Sequence, residues 1–165
     1  EVNRVFVHAY CAVGINEEVA VSLAGKVRKE YRDIEHWHVY PDVIPTLTSL
    51  QRQGWKHVIL SNHIPELEDL ISDLGLSSFF YRIYSSANIG YEKPNTKAYQ
   101  IVLEALKPVT SVWMIGDNPE ADVQGAEAVG IPAILVRKTH DSVRRICSDL
   151  MGLSGFLDSE ARKET

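Results

Sequence analysis

Val112-Trp113-Met114-Ile115-Gly116-Asp117-Asn118-Pro119-Glu120-Ala121-Asp122, residues 112–122, is the stretch that decides how this chain folds. Four apolar residues in a row have the length of a buried strand, and they stop at a glycine followed by Asp117, Asn118 and Pro119. Ala121 to Val129 then reads as a helix ended by Gly130, and Ala133 to Val136 is the last clear strand. Together they make one strand–helix–strand unit with an acidic turn at the carboxyl end of its first strand.

The same pattern extends toward the N-terminus. Lys56-His57-Val58-Ile59-Leu60 is a buried strand that ends on Ser61-Asn62-His63. Pro65 suits a first helical position, and Leu67, Leu70, Ile71 and Leu74 form a helical stripe closed by Gly75. Arg82-Ile83-Tyr84 is a short strand, and after Lys93-Pro94 the residues Ala98, Ile101, Val102 and Ala105 mark another helix. A helix from about Val43, with Leu47 and Leu50, ends at Gly54 and precedes the first strand. Repeated units of this kind need crossover connections, so the spacing predicts an α/β fold whose parallel sheet carries helices on both faces.

Residues 1–40 stand outside this alternation. Val2, Val5, Phe6, Ala9 and Val13 have helical spacing, Gly14 fits a stop, and Asn16-Glu17-Glu18 fits a new start. Ala20, Leu23, Ala24 and Val27 make one face of the second helix, which runs to about Tyr31. Two domains are therefore expected, a helical segment over 1–40 and an α/β core over 41–165. The tail from about Ser142 is less periodic, and frayed ends are expected over 161–165.

Composition narrows the function classes. The net charge is −5, from 17 basic and 22 acidic residues, with no basic stripe, which argues against nucleic acid as a main partner. No run approaches the ~18 apolar residues that cross a bilayer, so no membrane span is expected. Cys11 and Cys147 are too far apart to suggest a disulfide framework or a zinc site. With no signal-peptide pattern, the expected location is the cytoplasm. Association with a second copy stays open.

In open parallel sheets, ligands bind beyond the carboxyl ends of the strands. Three polar groups stand at such places: Ser61-Asn62, Lys93, and the Asp117 to Asp122 turn. A serine hydroxyl with adjacent amides suits a phosphoryl oxygen, and a lysine supplies a compact positive charge for it. Two aspartates in a turn offer hard oxygen ligands for Mg2+, which prefers few carboxylates plus water and phosphate. Blander readings exist for each: Ser61-Asn62 as a helix cap, Lys93 as a solvated surface lysine, and Asp117-Asn118-Pro119 as a capping turn. His63 sits beside the site as a helix-entry or substrate-side residue, whereas His36, Trp37 and His38 read as packing near a hinge.

In this order the segments resemble the haloacid dehalogenase-like hydrolase superfamily. Val58 to Asn62 is similar to its second motif, Gly90-Tyr91-Glu92-Lys93-Pro94 to its third, and Gly116 to Asp122 to the phosphatase form of its fourth. The resemblance covers about residues 36–138, and the leading helices resemble the family's helical cap. It implies a Rossmann-like core and a Mg2+-dependent phosphatase of a small phosphorylated metabolite, acting through an aspartyl-phosphate. It implies that Ser61 and Asn62 bind the phosphoryl group and that Lys93 neutralises charge on it. Asp117 would ligate Mg2+, and Asp122 would complete the metal shell or hold Lys93. Substrate contacts from the cap would come from Tyr10, Trp37 and Tyr40. A 2-haloacid dehalogenase is the lesser alternative.

The family's first motif, a strand ending in Asp-x-Asp-x-Thr with the nucleophile and the general acid–base, does not occur between Glu1 and Val58. One expectation is that this strand lies upstream of Glu1. The other is that Val5-Phe6-Val7-His8-Ala9-Tyr10 is a degenerate first strand, with His8 in the nucleophile's place. A non-catalytic binding module is the matching functional alternative. In the family fold that strand lies between those ending at Ser61 and Gly116, so the edges there need a partner.

Overall fold

The computed structural model describes residues 2–161. Helix α1 (Val2–Ala12) stops at Gly14, whose φ of 90° lies in the left-handed region that favours glycine. Helix α2 (Glu17–Arg32) begins where the Asn16 side chain accepts the Val19 N–H at 2.9 Å. Its first turn carries Glu17 and Glu18 and its last carries Lys29 and Arg32, both matched to the helix dipole. The two helices pack together as a hairpin over the buried Ala20 and Ala24. Val5 to Tyr10 is thus helical, which removes it as a degenerate first strand.

A 3-10 turn (Ile34–His36) leads toward α3 (Val43–Arg52). Strands and helices then alternate: β1 (His57–Ser61), α4 (Leu67–Asp73), β2 (Phe80–Ser85), α5 (Ser86–Ile89), α6 (Thr96–Ala105) and β3 (Met114–Gly116). A π-helical turn (Pro119–Gln124) runs into α7 (Gly125–Glu127), followed by β4 (Ala133–Val136), β5 (Ile146–Cys147) and α8 (Leu153–Ala161). Every strand pair among the described residues is parallel, β1 with β2, and β3, β4 and β5 in that order.

Strand β4 shows why helices cover both faces. Ala133 and Leu135 pack with Ala98, Tyr99, Val123 and Ala126, while Ile134 and Val136 pack with Leu50, Leu153 and Leu157. Alternate residues of one strand thus face α6–α7 on one side and α3–α8 on the other. Burying each large side chain completely contributes about 1.5–3 kcal/mol.

Four details depart from the sequence reading. Pro65 lies in a turn, and α4 starts at Leu67. The segment after Asp117 is not a regular α-helix: Asn118 caps the Glu120 and Ala121 amides at 3.0 and 2.9 Å, and the first turn widens to π geometry. Strand β5 has two residues, too few for a periodic signal, yet it extends the sheet by pairing Leu135 with Ile146 and Val136 with Cys147. Helix α8 contains Gly155 and has weak intrinsic propensity, but burial of Leu153 and Leu157 against Leu50 and Ile134 holds it. Of the frayed end expected over 161–165, Ala161 closes α8 and 162–165 lie outside the described residues.

Between β1 and β3 runs an apolar groove of about 500 Å3. Val58 to Ser61 form one wall and Met114 to Gly116 the other, with α3, α6 and α8 residues above and below. The groove-side edges of β1 and β3 pair with no strand among the described residues. Accordingly β1 is only half-buried along its length, whereas all four residues of β4 are buried.

Two contacts fix how the loops sit on this frame. Gly116 has no room for a side chain, because an added Cβ would overlap the carboxyl group of Asp122. Arg137, in the left-handed region at φ 62°, pairs with Asp42 and lies 3.9 Å from the Tyr40 ring centroid. The other Asp42 oxygen accepts the Leu150 N–H at 2.8 Å, which ties the entry to α3 to the segment before α8. Burial opposes ionisation of Asp42, but the Leu150 amide and the Arg137 guanidinium outweigh it and hold its pKa below the usual carboxylate value.

Gly116→Ala is expected to displace Asp122 and lower stability by about 1–3 kcal/mol, read as a reduced midpoint in urea. For Asp42, a folded-state pKa below the unfolded one means stability that is present above about pH 4 and lost as pH falls through the folded value. The melting temperature of Asp42→Asn should therefore lie below wild type at pH 7 and converge with it below pH 4.

Candidate active site

Ser61 ends β1, in register with Ser85 of β2. The next residue, Asn62, reaches across to the loop before α6. Its side-chain N–H donates to the Lys93 carbonyl at 2.8 Å, and its side-chain oxygen accepts the Lys93 N–H at 2.8 Å. Two bonds to one residue's backbone fix where the lysine starts.

The Lys93 ammonium meets Asp122 Oδ1 at 2.5 Å, with the two side chains 9% and 7% exposed. The second Asp122 oxygen accepts the Asn118 N–H at 2.9 Å. A charge pair this buried persists only if both partners stay matched, and removing one side costs about 3–5 kcal/mol. Ser61, Lys93, Gly116 and Asp122 all line one end of the groove, so three of the polar groups chosen from sequence meet there.

Asp117 behaves differently. It is 59% exposed and pairs with Lys138 at 2.9 Å, so its carboxylate faces outward from the same turn. Of the two aspartates read as metal ligands, Asp122 has both oxygens engaged by protein, and Asp117 has the accessible one. No group of three or more His, Cys, Asp and Glu side chains capable of holding a metal occurs among the described residues. What remains for a metal is one accessible carboxylate, Asp117, a donor type compatible with Mg2+, which takes few carboxylates and fills its octahedron with water and phosphate.

Residues without a sequence signal complete the site. Tyr99 is buried in α6, and its hydroxyl donates to the Ala121 carbonyl inside the π turn. Burial, with the Asp122 charge adding to it, pushes the Tyr99 pKa up to about 12, so it stays a donor. Gly125 permits this approach, since a Cβ there would strike the Tyr99 hydroxyl. In the sequence Tyr99 stood next to a helical stripe and nothing set it apart.

His63, read from the sequence as a helix-entry or substrate-side residue, meets the α1–α2 hairpin at Tyr31. Its backbone N–H donates to Ser86 Oγ at 3.1 Å, and its Nε2 lies 3.0 Å from the Tyr31 hydroxyl. Trp37 meets Tyr31 edge-on at 5.2 Å and donates its indole N–H to the Tyr31 carbonyl at 2.7 Å. Tyr10 lies in a shallow depression with Leu23 and Lys26, and Tyr40 packs on Arg137, so of the three aromatic candidates only Trp37 adjoins His63. His36, read from the sequence as a packing residue, is exposed and bonds the Glu30 carbonyl at 3.0 Å.

Comparison with known proteins identifies the family. A family model for haloacid dehalogenase-like hydrolases matches residues 6–130. A glyceraldehyde 3-phosphate phosphatase of Methanopyrus kandleri is 32% identical over 130 residues, 76% of this chain and 55% of that protein. A phosphoserine phosphatase of Thermus thermophilus is 31% identical over 135 residues, 81% of this chain and 53% of its own length. The chain thus spans about half the length of these relatives. Among solved structures, a 2-haloacid dehalogenase from Pseudomonas syringae superposes with a TM-score of 0.75 at 24% identity, over 96% of this chain and 70% of that one, a likeness of fold. A polar cluster at parallel strand ends and a match over residues 6–130 lead to one assignment: the chain belongs to the haloacid dehalogenase-like hydrolases.

Proposed function

We propose that the protein containing this chain is a Mg2+-dependent phosphatase of a small phosphorylated metabolite, working through an aspartyl-phosphate. The observation that carries the reading is the buried Lys93–Asp122 pair beside Ser61, its lysine backbone clamped by Asn62 at the strand ends. In this reading residues 1–40 are the cap and 41–165 the core. The groove between β1 and β3 seats a parallel strand that carries the nucleophilic aspartate.

Each residue then has a task. The Ser61 hydroxyl donates to a phosphoryl oxygen, and the Asn62 side chain keeps the Lys93 loop against β1. Lys93, held by Asp122, offsets negative charge as the phosphoryl group is transferred. Asp117 would hold Mg2+, with Asp122 at its margin, and the ion would supply further neutralisation of phosphoryl charge. Two relatives at about 30% identity that are named as phosphatases favour phosphate esters over carbon–halogen bonds. No helix among the described residues is long and apolar enough to cross a membrane.

A binding module with a phosphate pocket and no nucleophile is the competing reading, motivated by the lack of Asp-x-Asp between Glu1 and Val58. Protein expressed from the complete gene separates the two, using phenyl phosphate as substrate. Turnover is expected in MgCl2, lost with EDTA and restored by Mg2+. Lys93→Ala and Asp117→Ala should each lower kcat/KM by about 100- to 1000-fold. No turnover, or turnover indifferent to Asp117→Ala and EDTA, sinks the phosphatase reading. Chloride release from 2-chloropropionate without Mg2+ would point to the dehalogenase instead.

A further inference from the structure

A second cavity, of about 520 Å3, lies between the α1–α2 hairpin and the ends of β1 and β2. Val5, Phe6 and Val27 give it an apolar side, and Tyr31, His63 and Ser86 give it a polar one. Its size is that of pockets which engulf small organic ligands. Asn62 lines this cavity and also holds the Lys93 backbone, so the cavity and the proposed phosphate position share a wall. A phosphomonoester anchored at Ser61 and Lys93 can extend its carbon chain past Asn62 into this space.

The polar side is built from groups that recognise hydroxyls. The Tyr31 hydroxyl and His63 Nε2 lie 3.0 Å apart, a pair able both to donate and to accept. Ser86 Oγ accepts the His63 N–H and keeps its own proton to give. His63 Nδ1 is buried and makes no hydrogen bond of normal geometry, only a weak polar contact with the Ile64 backbone. Burial holds the His63 pKa below its usual value and the Tyr31 pKa above its own, so both are neutral near pH 7.

The charges nearby select against anions. Glu92 lines the same cavity and repels a carboxylate or a second phosphate. Arg32, at the end of α2, is paired with Asp69 at 3.8 Å.

We propose that this cavity is the leaving-group subsite of the phosphatase, and that Tyr31, His63 and Ser86 select phosphomonoesters of small, uncharged, hydroxylated carbon chains. The proposal rests on the phosphatase reading above and adds the substrate class to it. Tyr31 and His63 come from the hairpin and the core respectively, so one substrate would be read by both.

The test compares kcat/KM for glycerol 3-phosphate, O-phosphoserine, fructose 1,6-bisphosphate and phenyl phosphate, using protein from the complete gene. Glycerol 3-phosphate should exceed the carboxylated and bisphosphorylated esters by at least about tenfold, roughly one hydrogen bond's worth of discrimination. Tyr31→Phe and His63→Gln should each lower the ratio of glycerol 3-phosphate to phenyl phosphate by about tenfold, mainly through KM. Glu92→Gln should raise O-phosphoserine relative to glycerol 3-phosphate. A preference for either anionic leaving group, or an unchanged ratio in Tyr31→Phe, overturns the subsite. If no ester is turned over, the phosphatase reading fails, and calorimetric binding decides the subsite alone. Tighter binding of glycerol 3-phosphate than of inorganic phosphate, lost in Tyr31→Phe, supports it; equal affinities refute it.

Discussion

A lysine and an aspartate, 9% and 7% exposed, meet at the end of an apolar groove, and the neighbouring structure is arranged around keeping them together. An ammonium or carboxylate taken from water without its partner is far costlier than any single apolar contact is favourable. Hence Asn62 holds the Lys93 backbone at both its polar atoms, and the Asn118 amide takes the Asp122 oxygen that Lys93 does not use. Gly116 leaves room for the carboxyl group, and Tyr99 ties the same turn to α6. The π-helical turn fits this demand, since an extra residue in the turn accompanies Asp122 folding back on Asn118.

The sheet supplies the stage on which that pair stands. Strand β4 is sealed between two helical layers, and its rigidity carries the neighbouring β3 and its acidic turn. Strands β1 and β3 present edges to a common groove, so the site's end is open where its flanks are closed. A parallel strand in that groove would satisfy the edge amides and carbonyls and bring its own carboxyl end beside Ser61 and Gly116. The fold and the chemistry then have the same requirement.

The α1–α2 hairpin touches the core through a small set of directional contacts. Tyr31 reaches His63, Trp37 braces Tyr31, and Arg32 meets Asp69 at 3.8 Å on the exposed side. Contacts of this kind define a geometry at modest energetic cost, because exposed ion pairs contribute about 0–1 kcal/mol and single hydrogen bonds little more. A hairpin held this way can discriminate by what lies beneath it.

The alternation of strands and helices, the stops at Gly14, Gly75 and Gly130, and the cap at Asn16 were all legible in the sequence. Each depends on neighbours a few residues apart, and the positive φ of those glycines is a local demand. The candidate residues Ser61, Asn62, Lys93, Asp117 and Asp122 were legible too, as polar breaks at strand ends. For Asp122 the sequence left two tasks, completing a metal shell or holding Lys93; in three dimensions contacts with Lys93 and Asn118 engage it, while Asp117 stays accessible. Strand β5, helix α8 and the Tyr31–His63 meeting were likewise decided in three dimensions. Tyr31 and His63 are 32 residues apart, as Lys93 and Asp122 are 29 apart, and no local pattern encodes a contact that only packing creates.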